Sequence, residues 1–259
     1  MTWWEAAILG IVQGLTEFLP VSSSGHLVVA EALLGVDSPG VVLEVVLHIA
    51  TLGAVLVVYR ARVVSLIRGM FGADRAAWRS VGLLIVATLP AAAIGLAFKD
   101  RIEAAFDSLA FVGVAFVLTG AILWSTRGRD GPREEPTVAG AIAIGVAQAL
   151  AILPGISRSG STIAAGVWSK VDPVRAAEFS FLMAVAAIGG AAVLAIPDLR
   201  ATGSALGWGP LATGFVTAFV SGVAAIRVLV ALLARRSFHQ FAPYCWLLGV
   251  TTVLWSLRG

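Results

Sequence analysis

The sequence predicts an all-α protein that crosses a membrane several times, and three observations lead to this prediction. Of its 259 residues, 59% are hydrophobic and only 13% are charged, whereas a water-soluble domain carries about 25% charged residues. The mean hydropathy is +0.94. Several apolar runs approach the roughly 20 residues that a helix needs to cross the hydrocarbon core. A single integral membrane domain, residues 1–259, is therefore expected.

Charge and cysteine content exclude several classes of function. The net charge is only +3, and the basic residues lie between apolar runs without forming a stripe, so nucleic-acid binding is not expected. The single cysteine, Cys245, provides neither an internal disulfide framework nor a thiolate-rich metal site.

Six apolar runs are predicted to be full membrane spans, and two further regions are predicted to be broken. The spans lie at about residues 41–59, 80–98, 109–125, 175–197, 210–233 and 241–257. In each broken region a helix ends just before Pro20 or Pro154, because proline disfavours helical geometry in the residue before it, and the apolar piece that follows is too short to cross. We predict a re-entrant hairpin in each region, built from residues 2–19 and 26–36 and from residues 137–153 and 161–169.

The two broken regions resemble each other at an offset of 135 residues. The offset aligns Gly10 with Gly145, Gln13 with Gln148, Leu15 with Leu150, Ser22 with Ser157, Ser24 with Ser159 and Gly25 with Gly160. This match predicts an internal repeat, with repeat one at about residues 1–125 and repeat two at about residues 137–257.

The distribution of basic residues predicts the orientation. If the first hairpin enters from outside, the loops that face inside carry twelve Lys and Arg residues and those that face outside carry four. The positive-inside rule then predicts that both termini lie outside. Three spans separate the hairpins, so the second enters from inside and the repeats are inverted. In such folds the broken helices meet near the midplane and form a polar site.

The first break carries a carboxylate, hydroxyl groups and an imidazole. Gln13 and Glu17 share one helix face. A carboxylate at membrane depth costs about 2.5–3.5 kcal/mol, so Glu17 is expected to face a partner in a site; the alternative is a shallow residue that caps a helix. The serines that follow either bind an anion or cap the next helix. His26 is either a hydrogen-bonded structural residue or part of a set that activates a nucleophile.

The second break carries Arg158 among hydroxyl groups, on Ser157, Ser159, Ser161 and Thr162. A guanidinium in a hairpin that reaches neither surface must bind an anion or pair with an acid such as Glu17, and both interpretations are open. An arginine, hydroxyl groups and helix N-termini together are typical of a phosphate or pyrophosphate cradle.

The two breaks resemble the signatures of the bacterial undecaprenyl-diphosphate phosphatases, the bacitracin-resistance family. The segment from Gln13 to His26 resembles their (Glu or Gln)-x-x-x-Glu motif and the serine-rich turn after it. The segment from Pro154 to Thr162 is similar to their Pro-Gly-x-Ser-Arg-Ser-x-x-Thr motif. The resemblance implies removal of the terminal phosphate of undecaprenyl diphosphate at the outer face of the plasma membrane, which regenerates the lipid carrier of peptidoglycan synthesis.

The resemblance also implies roles for single residues. The implied catalytic residues are Glu17, Ser23, His26 and Arg158. The expected substrate-binding residues around them are Gln13, Ser22, Ser24, Gly25, Ser157, Ser159, Gly160 and Thr162. Many family members have Glu at position 13, and the Gln here puts a two-carboxylate metal site in doubt. The expected cofactor is a divalent cation, Mg or Ca, that bridges Glu17 and the diphosphate.

The expected reaction is attack by Ser23 on the distal phosphorus with Glu17 or His26 as base, or direct attack by water. The main alternative function is a transporter or flippase of a polyprenyl phosphate, because inverted repeats with midplane anion sites are typical of secondary transporters. A serine intramembrane protease would leave Arg158 without a role. The expected partners are a polyprenyl diphosphate and membrane lipids, and the oligomeric state is left open.

Other polar residues in the apolar runs are weaker candidates. His48 and Glu44 are four residues apart and either line the substrate mouth or are ordinary interface residues. Arg227 is expected to extend its charged end toward the membrane surface, and Glu178 is expected to be structural.

Overall fold

Apolar helices dominate the computed structural model of the chain, which describes residues 1–36, 40–194 and 207–258. The helices are α1 (Trp3–Phe18), α2 (Ser23–Leu34), α3 (Gly40–Val58), α4 (Arg60–Phe71), α5 (Arg75–Ala97), α6 (Lys99–Phe106), α7 (Leu109–Trp124), α8 (Val138–Leu150), α9 (Arg158–Trp168), α10 (Pro173–Leu194), α11 (Trp208–Ala234) and α12 (Ala242–Ser256). A 3-10 helix at Phe238–Phe241 precedes α12. No strand forms in these described ranges, so the predicted all-α class is confirmed.

Several helices are suited to cross a membrane. Arg75–Ala97, Pro173–Val193 and Trp208–Ala234 are each long and apolar enough alone. Up to two further crossings arise if Val42–Val58 is taken together with α4, and α6 together with α7. The protein is therefore a multi-pass membrane protein. The count of up to five is below the six predicted spans because α12 has only 15 residues. The end of the predicted span 175–197 lies outside the described residues.

Two segments that were expected to be connecting loops are short helices. Helix α4 bends by 77° from the preceding helix, and α6 bends by 97° from α7. Arg60, Arg62 and Arg68 lie on α4, which has 12 residues and is too short to cross the membrane. Basic amphipathic helices of this kind lie along a membrane surface, which explains why charged residues are helical here.

Both predicted breaks form helical hairpins. Helix α1 ends at Phe18, and Leu19 is extended, with φ −61° and ψ 143°, as a residue before proline prefers. Helix α8 ends at Leu150, three residues earlier than predicted, because a hydrogen-bonded turn follows it. Helix α1 packs on α2 and α8 packs on α9. We call α1 with α2 the first hairpin and α8 with α9 the second hairpin.

The two hairpins meet at their bends. A Cβ added to Gly25 would lie 3.0 Å from the Cα of Gly155. Gly155 has a φ of +91°, which glycine adopts without strain. The Ser159 hydroxyl donates a hydrogen bond to the carbonyl oxygen of Leu19 at 3.2 Å. The start of α2 and the start of α9 therefore lie side by side.

Each first arm packs on a long helix from the other half of the chain. Helix α1 packs on α11, and α8 packs on α5. A Cβ on Gly14 would lie 2.3 Å from the carbonyl oxygen of Ala218, and one on Gly145 would lie 2.6 Å from that of Ala87. Such close approach through small residues is typical of helix packing in membranes. Helices α8 and α9 begin 135 residues after α1 and α2, the offset of the sequence match.

Candidate active site

The Glu17 carboxylate is the centre of a buried polar cluster. It lies in the last turn of α1 and is 6% exposed. Its Oε1 accepts a hydrogen bond from Arg158 Nη2 at 2.5 Å, and its Oε2 accepts one from Ser23 Oγ at 2.5 Å. Gln13, one turn earlier, donates its Nε2–H to Oε2 at 3.0 Å. Glu17 thus faces partners from both hairpins and is not a shallow helix cap.

The three serines at the start of α2, Ser22 to Ser24, form what we call the serine turn. Their hydroxyl groups have different roles. Ser22 is the N-cap of α2, and its Oγ accepts a hydrogen bond from the N–H of Gly25 at 3.4 Å. Its φ of +71° is uncommon for a residue with a side chain. Ser24 Oγ lies 3.3 Å from Ser22 Oγ. Ser23 alone donates to the Glu17 carboxylate, which is the geometry of a nucleophile beside its base.

Arg158 connects the two hairpins. It is the first residue of α9, and its side chain is 15% exposed. Besides its ion pair with Glu17, its Nη1 donates a hydrogen bond to the carbonyl oxygen of Ser180 on α10 at 3.5 Å. A guanidinium has five N–H groups, so three of them make no hydrogen bond within the described residues. The ion pair is therefore present, and donors remain for an anion.

The predicted binding residues of the second hairpin lie in the same cluster, but their hydroxyl groups have structural partners. Ser157 Oγ caps α9 by accepting a hydrogen bond from Gly160 N–H at 3.0 Å and lies 3.3 Å from Ser159 Oγ. Thr162 Oγ1 donates to the carbonyl oxygen of Arg158 at 2.7 Å and lies 2.6 Å from Ser180 Oγ. These residues brace the start of α9.

His26 lies in the first turn of α2, but its hydrogen bonds lead away from Ser23 and Glu17. Its Nδ1 is 2.7 Å from the carbonyl oxygen of Ser22, and its Nε2 is 2.8 Å from the hydroxyl of Tyr244 on α12. Tyr244 lies 218 residues from His26 along the sequence and was not predicted to be near it. Ser180 was also missed, and no motif marks either residue.

His48 joins the cluster from α3. Its Nε2 lies 3.9 Å from Glu17 Oε2, and its Nδ1–H donates to the carbonyl oxygen of Glu44 at 2.7 Å. Its imidazole side chain is 28% exposed. This placement favours a position at the mouth of the site over an ordinary interface position.

A cavity of about 260 Å³ opens beside the serine turn. Ser24 lines it together with Glu31, Glu44 and Asp107, and its other walls are mostly apolar. The first hairpin therefore faces open space, whereas the corresponding arm of the second hairpin, α9, is buried along residues 159–167.

Glu178 and Arg227 lie outside the cluster. Glu178 pairs with Arg62 at 3.1 Å and with Arg175 at 3.2 Å, contacts that favour the structural interpretation. Arg227 is exposed on α11. Within the described ranges, no group of three or more His, Cys, Asp or Glu residues has the arrangement of a metal site.

Comparison with known proteins gives a consistent result. The family model described as bacitracin resistance protein BacA matches residues 6–251. An undecaprenyl-diphosphatase of Desulfosudis oleivorans is 44% identical, over 98% of this chain and 98% of its own length. Proteins with the same name from Syntrophotalea carbinolica and Carboxydothermus hydrogenoformans are 44% and 39% identical, over 96% and 100% of this chain and 97% and 99% of their own lengths. The resemblance seen in the two motifs is thereby confirmed, and the chain belongs to the BacA family of bacitracin resistance proteins.

Proposed function

We propose that this protein is an undecaprenyl-diphosphate phosphatase. It removes the terminal phosphate of undecaprenyl diphosphate, which recycles the lipid carrier for peptidoglycan synthesis and confers resistance to bacitracin. The names of its relatives support this activity. The observation in this chain that carries the proposal is the Glu17 carboxylate, which binds Ser23 and Arg158 at 2.5 Å each. Phosphoryl transfer depends mainly on such positioned charges and nucleophiles.

In the proposed reaction, Ser23 Oγ attacks the distal phosphorus and its proton passes to Glu17 Oε2. The bond from that phosphorus to the bridging oxygen breaks, and undecaprenyl phosphate leaves. Water then attacks the phosphoserine, which releases inorganic phosphate and restores the Ser23 hydroxyl, and Glu17 gives its proton to solvent. The N–H groups of Arg158 bind the non-bridging oxygens, where they stabilise the charge of the transition state.

The Glu17–Arg158 ion pair links proton transfer to phosphate binding. An ionised Glu17 holds the guanidinium at 2.5 Å. When Glu17 takes the proton of Ser23 it becomes neutral, so its attraction for Arg158 falls at the moment when the phosphoryl group needs the positive charge. Glu17 is the better candidate for the base than His26, because both ring nitrogens of His26 have other partners.

A divalent cation, Mg or Ca, is the proposed cofactor. Glu17 is the carboxylate of the cluster, and a site with few protein carboxylates suits Mg²⁺, which takes most of its ligands from substrate phosphates and water. Glu17 would hold the ion together with the diphosphate, and the ion would neutralise part of the substrate charge. Loss of activity with a chelator and recovery with added Mg²⁺ would support this assignment.

The proposed location is the bacterial plasma membrane, with the active site and both termini facing outside. The excess of basic residues in the loops assigned to the inside supports this orientation. The proposal includes two inverted repeats, at about residues 1–125 and 137–257. The pairing of α1 with α11 and of α8 with α5 is what such a repeat would produce.

Cysteine labelling tests the orientation. In a Cys245→Ala background, single cysteines near residues 70 and 130 should react with an impermeant reagent only from the inside. Labelling of a cysteine near residue 130 from the outside would contradict the inverted arrangement.

Phosphate release in detergent tests the activity. Purified protein mixed with undecaprenyl diphosphate should release one inorganic phosphate per lipid, and Ser23→Ala should abolish the release. Detergent micelles separate no compartments, so a pure transporter or flippase would release nothing. An inactive wild-type protein under conditions in which a relative is active would refute the proposal.

A further inference from the structure

A chain of hydrogen bonds runs from α12 to the serine turn. The carbonyl oxygen of Ser22 can only accept, so His26 Nδ1, 2.7 Å away, carries the proton. In the neutral imidazole, Nε2 then has a lone pair and accepts a hydrogen bond from the Tyr244 hydroxyl at 2.8 Å. The direction of donation is from Tyr244 to His26 and from His26 to the backbone of Ser22.

Two aromatic rings hold the imidazole in this orientation. The Tyr244 ring stacks on His26 with centroids 5.8 Å apart and planes inclined by 8°. Phe116 contacts His26 edge-on, with centroids 5.2 Å apart and planes at 84°. Rotation of the imidazole would break both hydrogen bonds and both ring contacts. His26 is therefore held as a rigid connection between α12 and the turn.

The first turn of α12 is itself docked on the first hairpin. Cys245, which follows Tyr244, is fully buried, and its Sγ lies 3.8 Å from the carbonyl oxygen of Pro20 at the bend. This contact sets the position of Tyr244 relative to the serine turn.

This series of hydrogen bonds ends at Ser22, whose backbone conformation needs support. Ser22 has a φ of +71°, and a side-chain-bearing residue keeps such a conformation only where its surroundings compensate for the strain. The Ser22 carbonyl belongs to the peptide that leads into Ser23, so the hydrogen bond from His26 orients that peptide. At the matching position of the second hairpin, Ser157 has an ordinary φ of −73°. Ser161, which matches His26, has a buried hydroxyl without a hydrogen-bond partner among the described residues.

We infer that Tyr244 is a positioning residue: acting through His26, it holds the peptide between Ser22 and Ser23 in the conformation that aims Ser23 Oγ at Glu17. Tyr244 touches neither Ser23 nor Glu17, so it takes no direct part in the chemistry. The inference rests on the proposed function, because its main readout is phosphate release.

Tyr244→Phe is the primary test, because it removes the hydroxyl and keeps the ring. We expect kcat to fall about fivefold, the effect of one lost hydrogen bond, and KM to change less than about twofold. Tyr59→Phe is the matched control, since Tyr59 is the only other tyrosine in the chain and packs on Phe181 away from His26. An unchanged kcat in Tyr244→Phe, or an equal loss in Tyr59→Phe, overturns the inference.

Two backgrounds separate positioning from a general structural effect. Glycine adopts a positive φ without strain and is an acceptable N-cap. In a Ser22→Gly background, the Tyr244→Phe change should therefore lower kcat by less than about 1.5-fold. The Tyr244→Phe change should also lower kcat by less than about 1.5-fold in a His26→Gln background, because residues that act through one another show coupled effects. A full fivefold loss in both backgrounds means that Tyr244 acts by another route, and the inference is wrong.

A spectroscopic measurement separates this inference from the proposed function. The ring ¹⁵N signal of His26 Nε2 should move in Tyr244→Phe and stay in place in Tyr59→Phe, whether or not the protein releases phosphate. If the wild-type protein is inactive but the signal moves, the proposed function fails while the hydrogen bond stands. If the wild-type protein is active and the signal does not move, the inference alone fails.

Discussion

The first and second hairpins have a similar layout and carry different chemistry. Both have a serine N-cap before the second arm, Ser22 in one and Ser157 in the other, 135 residues apart. The same offset sets Ser23 against Arg158. The first hairpin thus carries Ser23, the proposed nucleophile, and the second carries Arg158, which faces it across the Glu17 carboxylate. Neither hairpin holds the whole set, so the site exists only where the two bends meet.

Burial also differs between the hairpins. Every residue of α9 from 159 to 167 is buried, whereas among the residues of α2 only Gly25 and Leu27 are buried. The second hairpin therefore acts as a packed support that fixes Arg158, and the first presents Ser24 to the cavity. Substitutions at residues 159–167 of α9 should mainly lower stability, and those at the start of α2 should mainly lower activity.

The largest expected effect is at Ser23, the proposed nucleophile of the first hairpin. Ser23→Ala should lower kcat on the order of 10³-fold or more, because removal of a nucleophile eliminates the covalent route. Substrate binding should change little. The matched control Ser24→Ala, one residue away, should lower kcat far less. A Ser23→Ala protein that keeps more than about a tenth of the wild-type kcat would rule out covalent catalysis.

A loss nearly as large is expected for Glu17, the proposed base of the same hairpin. Glu17→Gln keeps the shape of the side chain and removes its charge, so it should eliminate proton acceptance from Ser23 and the response of kcat to added Mg²⁺. Steady-state rates with and without the metal measure both effects. If the Glu17→Gln protein still turned over substrate and Mg²⁺ still stimulated it, neither the metal ion nor the base could be assigned to Glu17.

The cation of the second hairpin should show a smaller but definite effect. Arg158→Lys keeps the charge, but an ammonium cannot donate two parallel hydrogen bonds to phosphate oxygens. We expect kcat to fall by about 10² to 10³, the usual cost of one preorganised donor, with a smaller change in KM. A near-normal kcat would mean that Arg158 serves only as the ion-pair partner of Glu17. The double variant Arg158→Gln with Glu17→Gln would then recover folding and much of the activity.

The smallest effects are expected from substitutions of two glutamines at matching positions of the hairpins, Gln13 and Gln148. Gln13 donates to Glu17 at 3.0 Å, so Gln13→Leu should lower kcat by about tenfold, the effect of losing a hydrogen bond to a charged group. Gln148 is 3% exposed, and neither of its amide atoms has a hydrogen-bond partner within the described residues. Gln148→Leu should therefore leave kcat within about twofold and keep or raise Tm, since it removes buried polar atoms that lack partners. A larger loss of activity in Gln148→Leu than in Gln13→Leu would reverse the assigned roles of the hairpins.

Much of this molecule was predictable from local sequence patterns. Hydropathy predicts the long helices α5, α10 and α11. An apolar segment that crosses the membrane must be helical, because only then are its backbone hydrogen bonds satisfied within the segment. Pro20 and Pro154 mark the breaks, since proline restricts its own backbone and that of the residue before it. The motifs around Glu17 and Arg158 identify the family. These features depend on neighbours in the sequence and need no knowledge of the packing.

Tertiary structure decided which polar groups meet. The bends meet at Gly25 and Gly155, and Arg158 lies on Glu17 beside this contact. The packing of α3 and α12 brings His48 to Glu17 and Tyr244 to His26. It also decided that His26 supports the serine turn while Glu17 receives the hydrogen bond of Ser23. Side-chain hydrogen bonds act over about 3 Å. Residues more than a hundred positions apart acquire such partners only when helix packing brings them together.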